Sequence, residues 1–185
     1  MTKRILIILA DGFEEIEAVT VIDILRRSGA DVVTAGLTAD REWVTGAHDI
    51  TLKTDTRIDS VQGEFDACVL PGGLPGAERL AGDPRVLSLI SAMAKENKIV
   101  AAICAAPAAV LTQTEILNGR SATCYPGMED SFPPNTTFKE DNVVIDGNLI
   151  TSRGPGTALE FALTLVEQLG DPDKSQELKR KTLSP

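Results

Sequence analysis

The chain contains a single histidine, His48, among 185 residues. A mechanism built on a Cys–His or Ser–His pair must use His48 or be discarded. Positive charge is also scarce: 18 Lys and Arg stand against 27 Asp and Glu, a formal net charge of -9. Phosphate backbones are bound by clustered Lys and Arg, so this balance argues against nucleic acid as the main partner. It argues equally against an anionic membrane surface. No stretch is long and apolar enough to span a bilayer. The run Ile5-Leu6-Ile7-Ile8-Leu9-Ala10 is too short, and the acidic Asp11, Glu14 and Glu15 follow it where a signal peptide carries small residues. The three cysteines, Cys68, Cys104 and Cys124, show no metal-ligand spacing, and an odd count suits a reducing, cytoplasmic setting.

What is present suits a globular fold. Hydrophobic residues make up 43% and charged residues 24%, which supports a core and argues against disorder. The length fits one domain, and residues 1–185 are read as a single unit. Residues 3–10 form an Ile-rich apolar run, which predicts a strand buried on both faces. Residues 14 to about 29 predict a helix ending at Gly29. Buried strands are predicted over 31–36, 66–70 and 98–103, and a small hairpin over 43–53. Residues 84–97 predict a helix capped by Asp83, with Pro84 at its first position. Strands follow at 121–124, 143–145 and 149–152, the last two joined by Asp146-Gly147-Asn148. Thr157 and Glu160 match a capping box for a helix over 157–169, and a short polar helix over 173–181 ends the chain. Alternating strands and helices imply an α/β fold, with a mostly parallel sheet covered by helices on both faces. Such sheets bind ligands beyond the carboxyl ends of their strands, which points at residues 11–17, 71–77 and 104–107.

The third of these loops carries a thiol. Ile99-Val100-Ala101-Ala102-Ile103 runs straight into Cys104-Ala105-Ala106-Pro107. The layout resembles a nucleophile elbow, a strand turning sharply into a helix with small residues at the bend. Pro107 fits a first helical turn, so Cys104 is expected at a helix N-terminus, where a thiolate is favoured. That field is worth about 0.3–1 kcal/mol, under one pKa unit, so full ionisation needs further donors. On position alone, Cys104 reads equally well as a small core residue.

Glu17 shifts that balance. Its helix neighbours at spacings of four and seven are Phe13, Val21 and Ile24, all apolar. A buried carboxyl without a partner is costly and takes up a proton. A protonated Glu17 can donate a hydrogen bond to a Cys104 thiolate, and the two then titrate as a pair. The alternative is a carboxylate solvated at the edge of the apolar stripe. Glu14 and Glu15 are explained as acids favoured by the first turn of the helix. The loop Leu70-Pro71-Gly72-Gly73-Leu74-Pro75-Gly76 has the wrong glycine spacing for a dinucleotide fingerprint, and no helix pattern is read after it. It is either a plain turn or a loop whose bare N–H groups, with that of Ala105, hold an oxyanion.

Four motifs occur in order: Glu14-Glu15-Ile16-Glu17, Leu70-Pro71-Gly72-Gly73, Ala102-Ile103-Cys104-Ala105-Ala106-Pro107 and Thr151-Ser152-Arg153-Gly154-Pro155-Gly156-Thr157. Together, and over nearly the whole chain, they resemble the ThiJ/PfpI superfamily, in the branch of the parkinsonism-associated protein deglycase and bacterial YajL-type proteins. The resemblance implies a flavodoxin-like three-layer sandwich and a homodimer. It implies Cys104 as a nucleophile readily oxidised to a sulfinic acid, Glu17 as its carboxyl partner, and Gly73 with Ala105 as oxyanion donors, with no metal or cofactor. The implied activity is that of a cysteine-dependent deglycase or glyoxalase. Its substrates would be 2-oxoaldehydes (methylglyoxal, glyoxal) or their adducts on proteins and small molecules, with a role in oxidative stress protection.

Two departures matter. Ala105 stands where the intracellular-protease branch has a His, which argues against peptidase activity. Tyr125 stands where many deglycase-branch members carry a His, and either contacts a substrate carbonyl or packs as an aromatic. Gly72 and Arg153 complete the candidate substrate contacts; Arg153 either meets an anion near the site or pairs across a dimer. His48 is expected at a surface or dimer interface and Cys68 in the core. Cys124 is either a strand-end residue or a thiol that resolves an oxidised Cys104. The alternative function is a redox-sensing protective protein or chaperone whose exposed, low-pKa Cys104 is oxidised. Glutamine amidotransferase chemistry needs a downstream His–Glu pair, and no His follows residue 48.

Overall fold

The computed structural model describes residues 2–38 and 42–184. In chain order the elements are β1 (Arg4–Leu9), α1 (Glu15–Arg27), β2 (Asp31–Gly36), β3 (Trp43–Thr45), β4 (Thr51–Lys53), β5 (Thr56–Arg57), β6 (Ala67–Leu70), α2 (Gly76–Ala81), α3 (Pro84–Lys95), β7 (Ile99–Ile103), α4 (Ala106–Ala109), β8 (Ser121–Ala122), β9 (Thr137–Phe138), β10 (Val143–Asp146), β11 (Leu149–Ser152), α5 (Ala158–Gln168) and α6 (Pro172–Lys181). A seven-stranded sheet runs β10-β11-β7-β6-β1-β2-β5. Its neighbours are parallel except in the β10–β11 hairpin. The predicted hairpin over 43–53 forms as β3 and β4.

β1 explains why the sheet is covered on both faces. Its side chains alternate, as a strand's must. Ile5, Ile7 and Leu9 enter a cluster with Val21, Ile24 and Leu25 of α1 and Phe161 and Leu165 of α5. Leu6 and Ile8 enter the opposite cluster with Leu80 of α2 and Val86 and Ile90 of α3. Each such side chain contributes about 1.5–3 kcal/mol on full burial. A strand apolar at every position therefore belongs in the middle of a helix-sheathed sheet, and β1 lies there, between β6 and β2. The result is the flavodoxin-like three-layer arrangement. No helix among the described residues is long and apolar enough to cross a membrane.

Local signals mostly behave as expected. The Asp83 side chain accepts the Arg85 N–H at 2.9 Å and caps α3, with Pro84 behind it. Two expectations need correction. The loop after β6 does lead into a helix, α2, whose Ala77 and Leu80, three apart, are its buried side; Pro75 and Gly76 masked that short pattern. Thr157 and Glu160 do not form a capping box for α5. Thr157 Oγ1 instead bonds Ser152 Oγ at 2.7 Å and the Gly154 backbone, while Glu160 accepts from Asn142. The helix expected after Cys104 forms as α4, a single turn.

Register decides what meets at the top of the sheet. Leu70 of β6 lies opposite Ala102 of β7, and Ile103 opposite Ser152 of β11. β1 pairs with β6 through Ile7 and Val69. The adjacent strands β1, β6 and β7 thus end together, and the loops at 10–14, 71–75 and 104–105 leave the same edge.

Candidate active site

Cys104 is the residue on which β7 turns into α4. Its φ is 63°, in the left-handed region, which disfavours a residue with a Cβ. Such a conformation costs about 1–3 kcal/mol and persists only where its surroundings over-determine it. Here they do: the Cys104 N–H donates to Ser152 O at 2.9 Å, and Cys104 O accepts the Tyr125 N–H at 2.8 Å. The end of β11 and the segment that follows β8 thus hold its peptide groups.

Glycine at position 72 lets the site close. A Cβ there would lie 2.6 Å from Cys104 Cβ, 2.8 Å from Glu17 Oε2 and 3.0 Å from Ala105 N. The loop after β6, the turn at Cys104 and the first turn of α1 therefore converge on a space that no side chain can share. Gly73 has φ +86°, and a Cβ on it would strike Glu14 N at 2.4 Å. The loop needs glycine at both positions.

Glu17 occupies the buried face of α1 and is fully enclosed, with 0% exposure. Its position beside the Phe13, Val21 and Ile24 stripe follows from helical spacing, and all three neighbours are buried with it. Glu17 Oε2 accepts the Gly72 N–H at 2.8 Å, whereas Oε1 is buried with no hydrogen-bond partner. Burial pushes this carboxyl up to about 7. The adjacent Cys104 thiol and the Gly72 N–H oppose the rise, and the Glu14 charge adds to it. An orphaned buried oxygen and a raised pKa agree on a carboxyl that readily holds its proton at neutral pH.

Cys104 is buried, with 8% of its surface exposed. Burial above all pushes its thiol up to about 12. The Glu17 charge and hydrogen bond push the same way, while the N–H groups of Gly73 and Ala105 pull it down. This corrects the expectation of an exposed, low-pKa thiol: the walls that position it also exclude water. The elevation depends on where the Glu17 proton sits. A Glu17 carboxylate repels a thiolate, whereas a protonated Glu17 donates to it. Moving the proton from sulfur to Glu17 thus turns the second-largest opposing influence into support, and the two groups share one proton as a coupled unit.

The remaining candidates divide by position. Gly72, Gly73 and Ala105 surround the thiol. The Tyr125 backbone is bonded to Cys104, and its half-exposed ring lies over Gly154, where a Cβ would be 3.5 Å from the ring. Arg153 follows Ser152 and donates from Nη1 to Glu140 O at 3.0 Å; its Nε is buried without a partner. Arg153 favours the thiolate of Cys124, but burial and the Glu129 charge outweigh it and push Cys124 up to about 12. Cys68 is sealed in the core, and all three thiols are free. His48 is at the surface, its Nδ1 2.8 Å from Glu15 Oε2.

Sequence reasoning undervalued Glu14. It is the N-cap of α1: its Oε2 accepts the Glu17 N–H at 2.8 Å, and its own N–H donates to Gly72 O at 3.0 Å. The available signal was its place three residues before Glu17, the spacing at which a cap side chain meets a backbone N–H. Glu14, Glu15 and His48 also bring one possible metal ligand each within 4.8 Å. The Glu15 oxygens there already accept the His48 and Ile50 N–H groups and contact the His48 ring.

A strained thiol on a parallel-sheet edge, with a buried carboxyl and two backbone donors around it, defines the class: an α/β protein with a built cysteine site. The DJ-1/PfpI family model matches residues 3–168, and the chain belongs to that family. It is similar to Protein dj-1beta of Drosophila melanogaster, 42% identical over 185 residues, covering 99% of this chain and 98% of that protein. It is also 42% identical to Protein DJ-1 homolog B of Arabidopsis thaliana over 98% of its length, but spans only 41% of that longer protein. A glutathione-independent glyoxalase of Caenorhabditis elegans, DJR-1.2, is 36% identical over 95% of this chain and 94% of its own. Among solved structures, oxidized Toxoplasma gondii DJ-1 superposes with a TM-score of 0.94 at 37% identity, covering 98% of each chain.

Proposed function

We propose that the protein is a cysteine-dependent, cofactor-free enzyme acting on small 2-oxoaldehydes or their adducts. The observation that carries this reading is the pairing of the buried Glu17 carboxyl with the Cys104 thiol, in a ring of backbone donors. The proton passes from sulfur to Glu17, and the thiolate adds to the aldehyde carbon of methylglyoxal. Glu17 returns the proton to the new alkoxide, giving a hemithioacetal, while the Gly73 and Ala105 N–H groups hold the developing negative oxygen. The Glu17 carboxylate then removes the hydrogen from that carbon as a proton, giving an enediol as the ketone oxygen takes up the hydroxyl proton, and Glu17 returns its proton to the former ketone carbon while the carbonyl of the thioester forms. The product is a thioester of a 2-hydroxy acid, and water hydrolyses it to lactate and free Cys104. On a glycated amine the same addition expels the amine, with Glu17 as its proton donor. The name of the Caenorhabditis elegans relative, a glutathione-independent glyoxalase, supports the 2-oxoaldehyde part of this reading.

The test is methylglyoxal consumption with lactate detection, for wild type and Cys104→Ser at equal concentration. Lactate formed by wild type and only at the buffer rate by the variant is the expected result. Equal rates in both would remove the thiol from the reaction. Glu17→Gln is expected to abolish lactate formation while Cys104 is still alkylated by iodoacetamide.

A second reading, redox sensing, is favoured by the same carboxyl beside the same sulfur, since Glu17 can donate to an oxidised Cys104. Mild peroxide should then add two oxygens at Cys104 alone by intact mass; oxidation spread over all three cysteines would count against it. We also take the chain to act as a homodimer in the cytoplasm. Ile16 and Val19, both exposed on α1, offer an apolar face for a second copy.

A further inference from the structure

The reactive pair rests on a closed ring of three hydrogen bonds. The Glu17 N–H donates to Glu14 Oε2 at 2.8 Å, and the Glu14 N–H donates to Gly72 O at 3.0 Å. The Gly72 N–H returns to Glu17 Oε2, also at 2.8 Å. Both chain directions of α1's first turn are thus locked to the one glycine that packs against Cys104 Cβ. Glu14 closes this ring with a carboxylate that is itself buried, with 8% exposure. A cap needs only an acceptor, and Ser, Thr or Asp serves as well or better. A buried acid in that role adds negative charge one helical turn from Glu17, where charge is costly.

Resting on the assignment of Cys104 and Glu17 as the reacting pair, we propose that Glu14 is a positioning residue for Glu17. Its side chain holds the Glu17 N–H while its own N–H holds the 71–75 loop, and its carboxylate favours the shared proton on the Glu17 carboxyl rather than on the sulfur. The direction of influence agrees, since the Glu14 charge raises Glu17. The titratable groups facing this ring are Cys104 from the turn after β7, Glu15 from α1, and His48 from the β3–β4 hairpin with Asp49 beyond it. The glycine-rich loop supplies none.

The test is the pH dependence of Cys104 alkylation by iodoacetamide, read by intact mass, which needs no turnover. Glu14→Gln keeps an acceptor for the Glu17 N–H and removes the charge. Glu14→Ser is a good cap without charge, so the fold is retained in at least one variant, checked by circular dichroism. Both are expected to move the acid limb of the profile to lower pH. Both should also reduce the neutral-pH rate by about threefold or more, because a more acidic Glu17 leaves the proton on sulfur. Glu15→Gln, which alters a neighbouring acid outside the ring, should leave the profile in place. Folded Glu14 variants with wild-type profiles would overturn the proposal, as would an equal shift in Glu15→Gln. A Glu17→Gln profile identical to wild type would mark a different failure, that of the Cys104–Glu17 pair itself.

Discussion

Cys68 lies inside β6 and Cys104 just past the adjacent strand β7; both are buried, and burial pushes both thiols up to about 12. Their surroundings nevertheless have opposite character. At Cys68 burial is the sole influence. At Cys104 it is joined by a titrating carboxyl and opposed by two N–H groups aimed at the sulfur. Desolvation alone makes a thiol inert, because nothing stabilises the anion. Desolvation with placed donors makes a thiol whose ionisation is controlled by one other proton. The position of the residue explains the difference. Cys68 lies inside β6, where backbone groups are spent on the sheet ladder. Cys104 lies one residue past β7, where the N–H groups of a turn are free to point inward.

Four substitutions sharpen or break this contrast. The largest effect is expected for Gly72→Ala, whose Cβ cannot coexist with Cys104 Cβ at 2.6 Å. Overpacking of this kind costs about 1–3 kcal/mol, and thermal melting should fall accordingly while Cys104 loses its selective alkylation. Next is Glu17→Gln, compared with wild type in denaturant melts across pH. The folded pKa of Glu17 is raised from 4.5 to about 7. Stability from a raised group is complete below its unfolded pKa and is lost as pH rises through the folded value. Wild type should therefore lose stability relative to Glu17→Gln between about pH 4.5 and pH 7; parallel curves would show that the proton is not held there. Cys68→Ala should cost about 1 kcal/mol through lost burial and leave Cys104 alkylation unchanged. A change in that rate would mean that the two thiols are coupled through the sheet. The smallest effect is expected for His48→Ala. Glu15 is lowered, with hydrogen bonds from His48 outdoing its burial, and His48 is raised by Glu15. Their pairing supports the fold above the unfolded pKa of Glu15 and below that of His48. It fades as pH falls through the lowered Glu15 value or rises through the raised His48 value. Wild type should show that shallow loss on both sides; His48→Ala should lack the alkaline one and show a weaker acid one, since the N–H groups of residue 48 and Ile50 still donate to Glu15.

Much of this was legible in the residues. The all-apolar β1 announced a sheet covered on both faces, and the spacing of Phe13, Glu17, Val21 and Ile24 placed a carboxyl on a buried stripe. The short strand, Cys104 and Pro107 announced a sharp turn. The rest depended on long-range geometry. Nothing local shows that Gly72 faces Cys104 Cβ, because that follows from the β6–β7 register. Glu14 was hidden as an ordinary first-turn acid, since its burial comes from the 71–75 loop packing above it. The helix α2 was missed because proline and glycine at its start outweighed a pattern only six residues long. The exposure of Cys104 was misjudged for a similar reason: a helix N-terminus can be read along the chain, but the walls around it cannot.

The left-handed backbone at Cys104 has a consequence for how the sequence can drift. At φ 63° glycine is the residue of least strain, followed by asparagine and aspartate. None of the three carries sulfur. A library randomised at this position and selected only for heat resistance should therefore converge on glycine or asparagine, and every winner would be chemically silent. Selected for thiol reactivity, the same library can return only cysteine. Position 104 thus sets two selective pressures against each other within a single residue, and its occupant in any variant reports which one prevailed.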